Sequence, residues 1–147
     1  MIYSPTNKVI IITPPKTGST SLHFSLCQAW NWVHIVGPQV DGHIEKHTLR
    51  VPLFVKQQEA DHTCLMIVRS PYARLWSLYQ HWLNHWSNAA GTLEIFIRKI
   101  MIPQCHDFLG RPLSWYYHQA EVKPMEFIPM EELSLLTSYS APIDNIP

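Results

Sequence analysis

The most constraining feature of this chain is a junction near its start. Val9-Ile10-Ile11-Ile12 is an unbroken run of β-branched apolar side chains that stops at Pro14-Pro15. Such residues favour strands, and a strand apolar at every position is one buried on both faces. Lys16, Thr17, Gly18, Ser19, Thr20 and Ser21 follow, after which Leu22, Leu26, Ala29 and Trp30 recur at helical spacing. The expected order is a strand over residues 8–13, a loop, and a helix over residues 20–30.

The pattern is repeated downstream. "HTCLMIV" (62–68) is a second buried-type strand, and Ser70-Pro71 supplies an N-cap followed by proline at the first helical position, predicting a helix to about residue 86. Between the two units lie a short strand over 32–36, a polar loop over 37–47 and a helix to about residue 59 with Pro52 near its start. After them, Thr92 caps a helix in "TLEIFIRKIM", residues 103–124 read as a long irregular segment, "MEFIPM" as a last strand and "EELSLL" as a short helix. Residues 142–147 read as a tail. Alternating strands and helices imply a parallel α/β sheet with helices on both faces, and ligands in such sheets bind at the carboxyl ends of the strands. Both unusual loops fall there.

Composition narrows the partners. With 147 residues the chain is expected to be one domain, 1–147. Eleven basic and eleven acidic residues cancel, so no broad basic field exists to hold nucleic acid or an anionic membrane, and neither is an expected partner. Any bound anion must be held locally. Cys27, Cys64 and Cys105 are odd in number and form no CxxC, which argues against a disulfide framework or structural zinc and for a reducing, cytoplasmic setting. No apolar run approaches the ~18 residues of a membrane helix, and no signal segment is evident at the N-terminus. A soluble protein is expected.

A loop joining a strand to a helix N-terminus offers unpaired backbone N–H groups and the positive end of the helix dipole, which together bind anions. Gly18 permits close approach, Ser19, Thr20 and Ser21 can add hydroxyl donors, and Lys16 supplies charge. The lysine precedes the glycine, so the loop is not the G-x-x-x-x-G-K-[ST] of nucleotide triphosphatases. At the second junction Arg69 ends the strand, and Ser77 lies two turns into the helix on the face of Ser70. An arginine fork and a hydroxyl converging there make a second phosphate site, and two such sites suggest a ligand phosphorylated in two places.

"PPKTGSTSL" together with "VRSPYARLWSLY" resembles the sulfotransferases that use 3′-phosphoadenosine 5′-phosphosulfate (PAPS). The "EKHTLRVPL" stretch (45–53) is similar to a segment of the carbohydrate-type members, and the whole chain looks like a short bacterial or phage-like version. The resemblance implies a three-layer, P-loop-like fold with a central parallel sheet flanked by helices. It also implies that Pro15, Lys16, Thr17, Gly18, Ser19, Thr20 and Ser21 hold the 5′-phosphosulfate, and that Arg69 and Ser77 hold the 3′-phosphate. The departures are the short length, Ser21 where cytosolic members place a tryptophan beside the adenine, and the lack of a Gly/Lys-rich C-terminal loop.

The expected reaction moves a sulfuryl group from PAPS to a hydroxyl or amine, leaving 3′,5′-ADP. Lys16 suits the charge on the leaving oxygen, and a base must take the acceptor proton. The polar loop offers His43, Glu45 and His47. His47, in the family-like Lys-His-Thr segment, is the first choice because an ordinary histidine titrates near working pH, and Glu45 is the second. No metal is expected. His81 and His85 have metal-capable i, i+4 spacing, but packing or surface roles suit them better. Two roles stay open for Arg74, a salt bridge or assistance to an anion, and two for "SWYYHQ" (114–119), acceptor stacking or core. The acceptor is a glycan, lipid, small alcohol or protein tyrosine. The alternatives are a non-catalytic nucleotide- or glycan-binding module and a P-loop kinase-like phosphotransferase; the latter wants a carboxylate for Mg²⁺ where the second strand ends in Val68-Arg69.

Overall fold

The structure, a computed structural model, describes residues 1–28, 31–35, 39–40, 43–44, 62–85, 91–103, 111–124 and 126–136. It is mixed α/β. Seven strands are described: β1 (Ile2–Ser4), β2 (Val9–Ile12), β3 (Val33–His34), β4 (Gln39–Val40), β5 (His43–Ile44), β6 (Thr63–Val68) and β7 (Glu126–Pro129). The α-helices are α1 (Ser19–Leu22), α2 (Pro71–His85), α3 (Leu93–Phe96) and α4 (Leu113–Gln119). Two of them widen into π-helical turns, α1 over His23–Gln28 and α3 over Ile97–Met101, and a 3₁₀ segment spans Met130–Leu136.

The main sheet runs β3-β1-β2-β6-β7. Its centre is parallel: Ile12 pairs with Met66 across β2 and β6, and Val68 with Pro129 across β6 and β7. The carboxyl ends of three strands therefore share one edge. The sheet is not parallel throughout, as the alternation of elements implied. β1 lies antiparallel to β2, with Tyr3 opposite Ile10, and antiparallel to β3, with Ile2 opposite His34. The reason is local: a turn over residues 5–8, with Lys8 at φ 54° and the Asn7 N–H donating to Ser4 Oγ at 3.1 Å, folds the chain straight back before β2 begins.

Side chains alternate across a strand, and here both faces are buried. Tyr3, Ile10, Ile12, Cys64 and Met66 pack with Tyr116 and Ala120 of the α4 segment, while Ile2, Val9, Ile11, Leu65, Ile67 and Ile128 pack with Leu22 and Leu26. Helical segments thus cover each face, which is why β2 and β6 are apolar at successive positions. A third cluster joins Leu78 and Trp82 of α2 to Phe96 of α3.

Several sequence expectations need correction. Residues 103–124 are not irregular throughout, because 113–119 form α4, begun by extended Pro112 (φ −65°, ψ 157°) and anchored by Tyr116, which is fully buried. The polar loop 37–47 contains the β4-β5 ribbon, with Gln39 opposite Ile44. The strand expected over 32–36 is only Val33–His34. The helix expected to about residue 59, the end of the 20–30 helix beyond Gln28, Cys105 and the tail lie outside the described residues. The expected caps are present: Ser70 Oγ accepts from the Ala73 N–H at 3.2 Å, and Thr92 Oγ1 from the Ile95 N–H at 3.4 Å. Cys27 and Cys64 are free thiols. Among the described residues no helix is long and apolar enough to cross a membrane.

Candidate functional site: a cationic loop at the parallel strand ends

The loop after β2 is built from its carbonyls. Thr17, fully buried, turns its Oγ1 back to the Pro14 carbonyl at 2.6 Å, and its N–H reaches the same oxygen at 3.4 Å. Arg74 Nε donates to the Pro15 carbonyl at 3.1 Å, and an Arg69 terminal nitrogen (Nη1) donates to the Lys16 carbonyl at 3.2 Å. Three successive carbonyls are therefore held from the protein side. Lys16 and Gly18 both have positive φ, 65° and 80°. Gly18 starts α1, accepting from the Leu22 N–H at 3.0 Å, and has no side chain with which to cap the turn, so the first helical amides are left for another acceptor.

The charges at this edge are unbalanced. Burial, and then repulsion from Arg69, hold the Lys16 ammonium below its ordinary value. Arg69 Nε is buried and meets no hydrogen-bond partner among the described residues. Among the described residues neither cation is paired with a carboxylate; the ion pair found there joins Glu94 and Arg98 at 3.0 Å, on the exposed face of the α3 segment. Two adjacent cations with a buried open donor and uncapped helical amides form a donor set that suits an anion.

The structure brings together Pro15, Lys16, Thr17, Gly18 and Arg69. Thr17 uses its hydroxyl on the loop itself, so its side chain shapes the site and is not a free donor. Ser19 is half-buried, while Thr20 and Ser21 are exposed. Ser77 is half-buried and continues the Ser70–Arg74 row of α2 at i, i+4, i+7, the row from which Arg74 reaches the loop. Glu45 and His47 lie outside the described residues, and of His43 only its place in β5 is described.

Three further residues shape the loop: Arg74 and Tyr116, whose roles the sequence left open, and Met130, which it did not single out. Arg74 is 7% exposed and binds the Pro15 carbonyl, the Arg111 carbonyl at 2.7 Å and the Tyr116 hydroxyl at 3.4 Å, with its guanidinium 5.4 Å from the Tyr116 ring centroid. Its described bonds are to two main-chain oxygens and a phenol, so it braces the loop from behind. Tyr116, from "SWYYHQ", is core: burial pushes its phenol up to about 12, against the opposing pull of Arg74. Met130, just after β7, lies 3.3 Å from where a Cβ on Gly18 would stand. The shared Ser70–Arg74–Ser77 row was a usable signal for Arg74, whereas Met130 gave none. Among the described residues no group of three His, Cys, Asp or Glu side chains is placed to hold a metal. No family model matches the chain, and neither the curated proteins nor the solved structures include a match.

Proposed function

We propose that this chain is a PAPS-dependent sulfotransferase with a three-layer, P-loop-like fold, acting on a hydroxyl or amine acceptor such as a glycan. The observation that carries the reading is the Lys16–Arg69 pair: two cations at adjacent parallel strand ends, one bonded to the other's backbone and neither paired with a carboxylate among the described residues. PAPS supplies the sulfuryl group and carries charge at two separated phosphates. On this reading Lys16, the amides after Gly18, and the Ser19, Thr20 and Ser21 hydroxyls hold its 5′ end, and Arg69 Nε with Ser77 holds the 3′-phosphate.

Lys16 then neutralises the phosphate oxygen that departs as the sulfur–oxygen bond breaks. The acceptor oxygen or nitrogen forms the new bond to sulfur, and its proton passes to a base, His47 or Glu45. The reaction asks for no redox partner. Lys16 suits this task because burial and the neighbouring Arg69 leave its charge poorly compensated, which an arriving phosphate offsets.

The test is a thermal-shift series with 3′,5′-ADP, PAPS and ATP-Mg²⁺, followed by transfer from radiolabelled PAPS to an acceptor panel. A ligand at ~100 times its Kd adds about 2.7 kcal/mol of stability. Stabilisation by the 3′-phosphorylated nucleotides and not by ATP-Mg²⁺, lost in Arg69→Ala, is expected, with Lys16→Ala abolishing transfer. Stabilisation by ATP-Mg²⁺ alone overturns the reading in favour of a kinase. Binding of 3′,5′-ADP without transfer to any acceptor favours the binding module.

A further inference from the structure

We infer that Arg74 is the positioning residue of the 13–18 loop: by holding the Pro15 carbonyl it turns the Lys16 N–H outward, toward the anion that Lys16 and Arg69 attract. The inference rests on the loop being an anion cradle, and not on sulfuryl being the group transferred.

The geometry of one peptide carries it. Among the described residues every peptide is trans, and in a trans peptide the C=O and N–H point in opposite directions. Arg74 Nε fixes the Pro15 C=O at 3.1 Å, so the partner N–H, that of Lys16, faces away from Arg74. That N–H meets no acceptor among the described residues. Lys16 also has φ 65°, a left-handed conformation that a non-glycine residue keeps only when its surroundings enforce it. The enforcement is visible on both sides, from Arg74 on the carbonyl before Lys16 and from Arg69 on the carbonyl of Lys16 itself.

Arg74 can do this because it is itself immobilised. Its three nitrogens serve three separate segments, at Pro15, Arg111 and Tyr116. A planar fork spans such a set; an ammonium is a point charge and does not. The α4 segment is thereby tied to the loop through one side chain.

Two-dimensional amide NMR during titration with inorganic pyrophosphate tests the inference. In the wild type the Lys16 amide peak is expected to move on binding. Arg74→Ala is expected to weaken pyrophosphate by about tenfold or more, the effect of losing a charged hydrogen bond, and to abolish the Lys16 shift. Methylguanidine in the vacated space is expected to restore both, a rescue that a generally loosened fold does not show. Should Arg74→Ala fail to fold, Arg74→Lys carries the test with the same expected loss. Wild-type affinity and an intact Lys16 shift in either folded variant overturn the inference while leaving the anion reading intact. A wild type that binds pyrophosphate without moving the Lys16 amide overturns it too. Pyrophosphate binding with this arginine dependence but no PAPS turnover overturns the sulfotransferase reading and supports the inference. A wild type that binds no pyrophosphate ends both.

Discussion

Arg69 donates to the backbone carbonyl of Lys16 at 3.2 Å, across fifty-three residues of chain. The contact joins the ends of two adjacent parallel strands and divides the arginine's labour, one nitrogen on the loop and a buried Nε left open. Occupancy of the Nε side and the conformation of the Lys16 loop are therefore linked through one rigid guanidinium.

Replacing that guanidinium by an ammonium separates its two tasks. Arg69→Lys keeps the charge but cannot serve the Lys16 carbonyl and an anion together. The expected result is a loss of about tenfold in 3′,5′-ADP affinity, with a larger loss for Arg69→Ala, measured by titration calorimetry. Equal affinity in Arg69→Lys and wild type would show that only charge matters here.

Gly18 is required twice over. Its φ of 80° disfavours any L side chain by ~1–2 kcal/mol, and a Cβ would come within 3.3 Å of the Met130 thioether. Gly18→Ala should destabilise the fold by at least that backbone cost. Adding Met130→Ala to Gly18→Ala relieves the crowding but not the backbone, so a double-mutant cycle of denaturation midpoints should return only part of the loss. Full recovery would assign the whole effect to the thioether.

The sequence showed most clearly the parts whose signals are local. β2 and β6 were readable because apolar runs end at Pro14-Pro15 and at Ser70-Pro71, and the helix starts followed from Ser70 and Thr92. β1 was not, because three residues carry too little pattern and its strand character comes from pairing on both sides, with Ile11 and His34 both opposite Ile2. α4 was hidden because Pro112 and its aromatic run read as irregular chain, and only tertiary burial of Tyr116 organises them. In the site, Lys16, Gly18 and Arg69 announce themselves by residue type. Arg74 acts on a main-chain oxygen fifty-nine residues away, and main-chain oxygens carry no residue code.

Lys123 closes α4. Its Nζ donates to the carbonyls of Tyr117 at 3.0 Å, His118 at 2.9 Å and Ala120 at 2.9 Å, and lies 5.4 Å from the Tyr117 ring centroid. The last carbonyls of a helix lack intrahelical donors, and a cation there also opposes the helix dipole. Lys123→Met should lower stability by ~1 kcal/mol in denaturant unfolding while leaving anion affinity unchanged. A shift in 3′,5′-ADP affinity would instead mean that α4 strain reaches the loop.

Lys16 gives a pH dependence with a definite sign. Burial and Arg69 place its folded-state value below the ordinary 10.5, so between those values the unfolded chain holds the extra proton. Stability from this group therefore rises with pH through that window. Anion affinity runs the opposite way, since only the charged ammonium attracts phosphate. Denaturation midpoints and 3′,5′-ADP titrations from neutral pH to 10.5 should diverge accordingly in wild type, and Lys16→Met should remove both trends.

Tyr116 has the reverse linkage. Its phenol is fully buried, accepts from Arg74 at 3.4 Å and is pushed from 10.0 up to about 12, mainly by burial. Between those values the folded state keeps a proton that the unfolded state releases, so the contribution is intact below pH 10 and is lost as pH rises toward 12. Ultraviolet difference absorbance should show one tyrosine ionising late and in step with unfolding, and Tyr116→Phe should delete that step. Because the hydroxyl accepts one of the bonds described for Arg74 and the Pro15 carbonyl another, Tyr116→Phe should leave the Pro15 tether in place and disturb 3′,5′-ADP affinity far less than Arg74→Ala. Equal losses in the two variants would place the anchor of the loop in the phenol and not in the guanidinium.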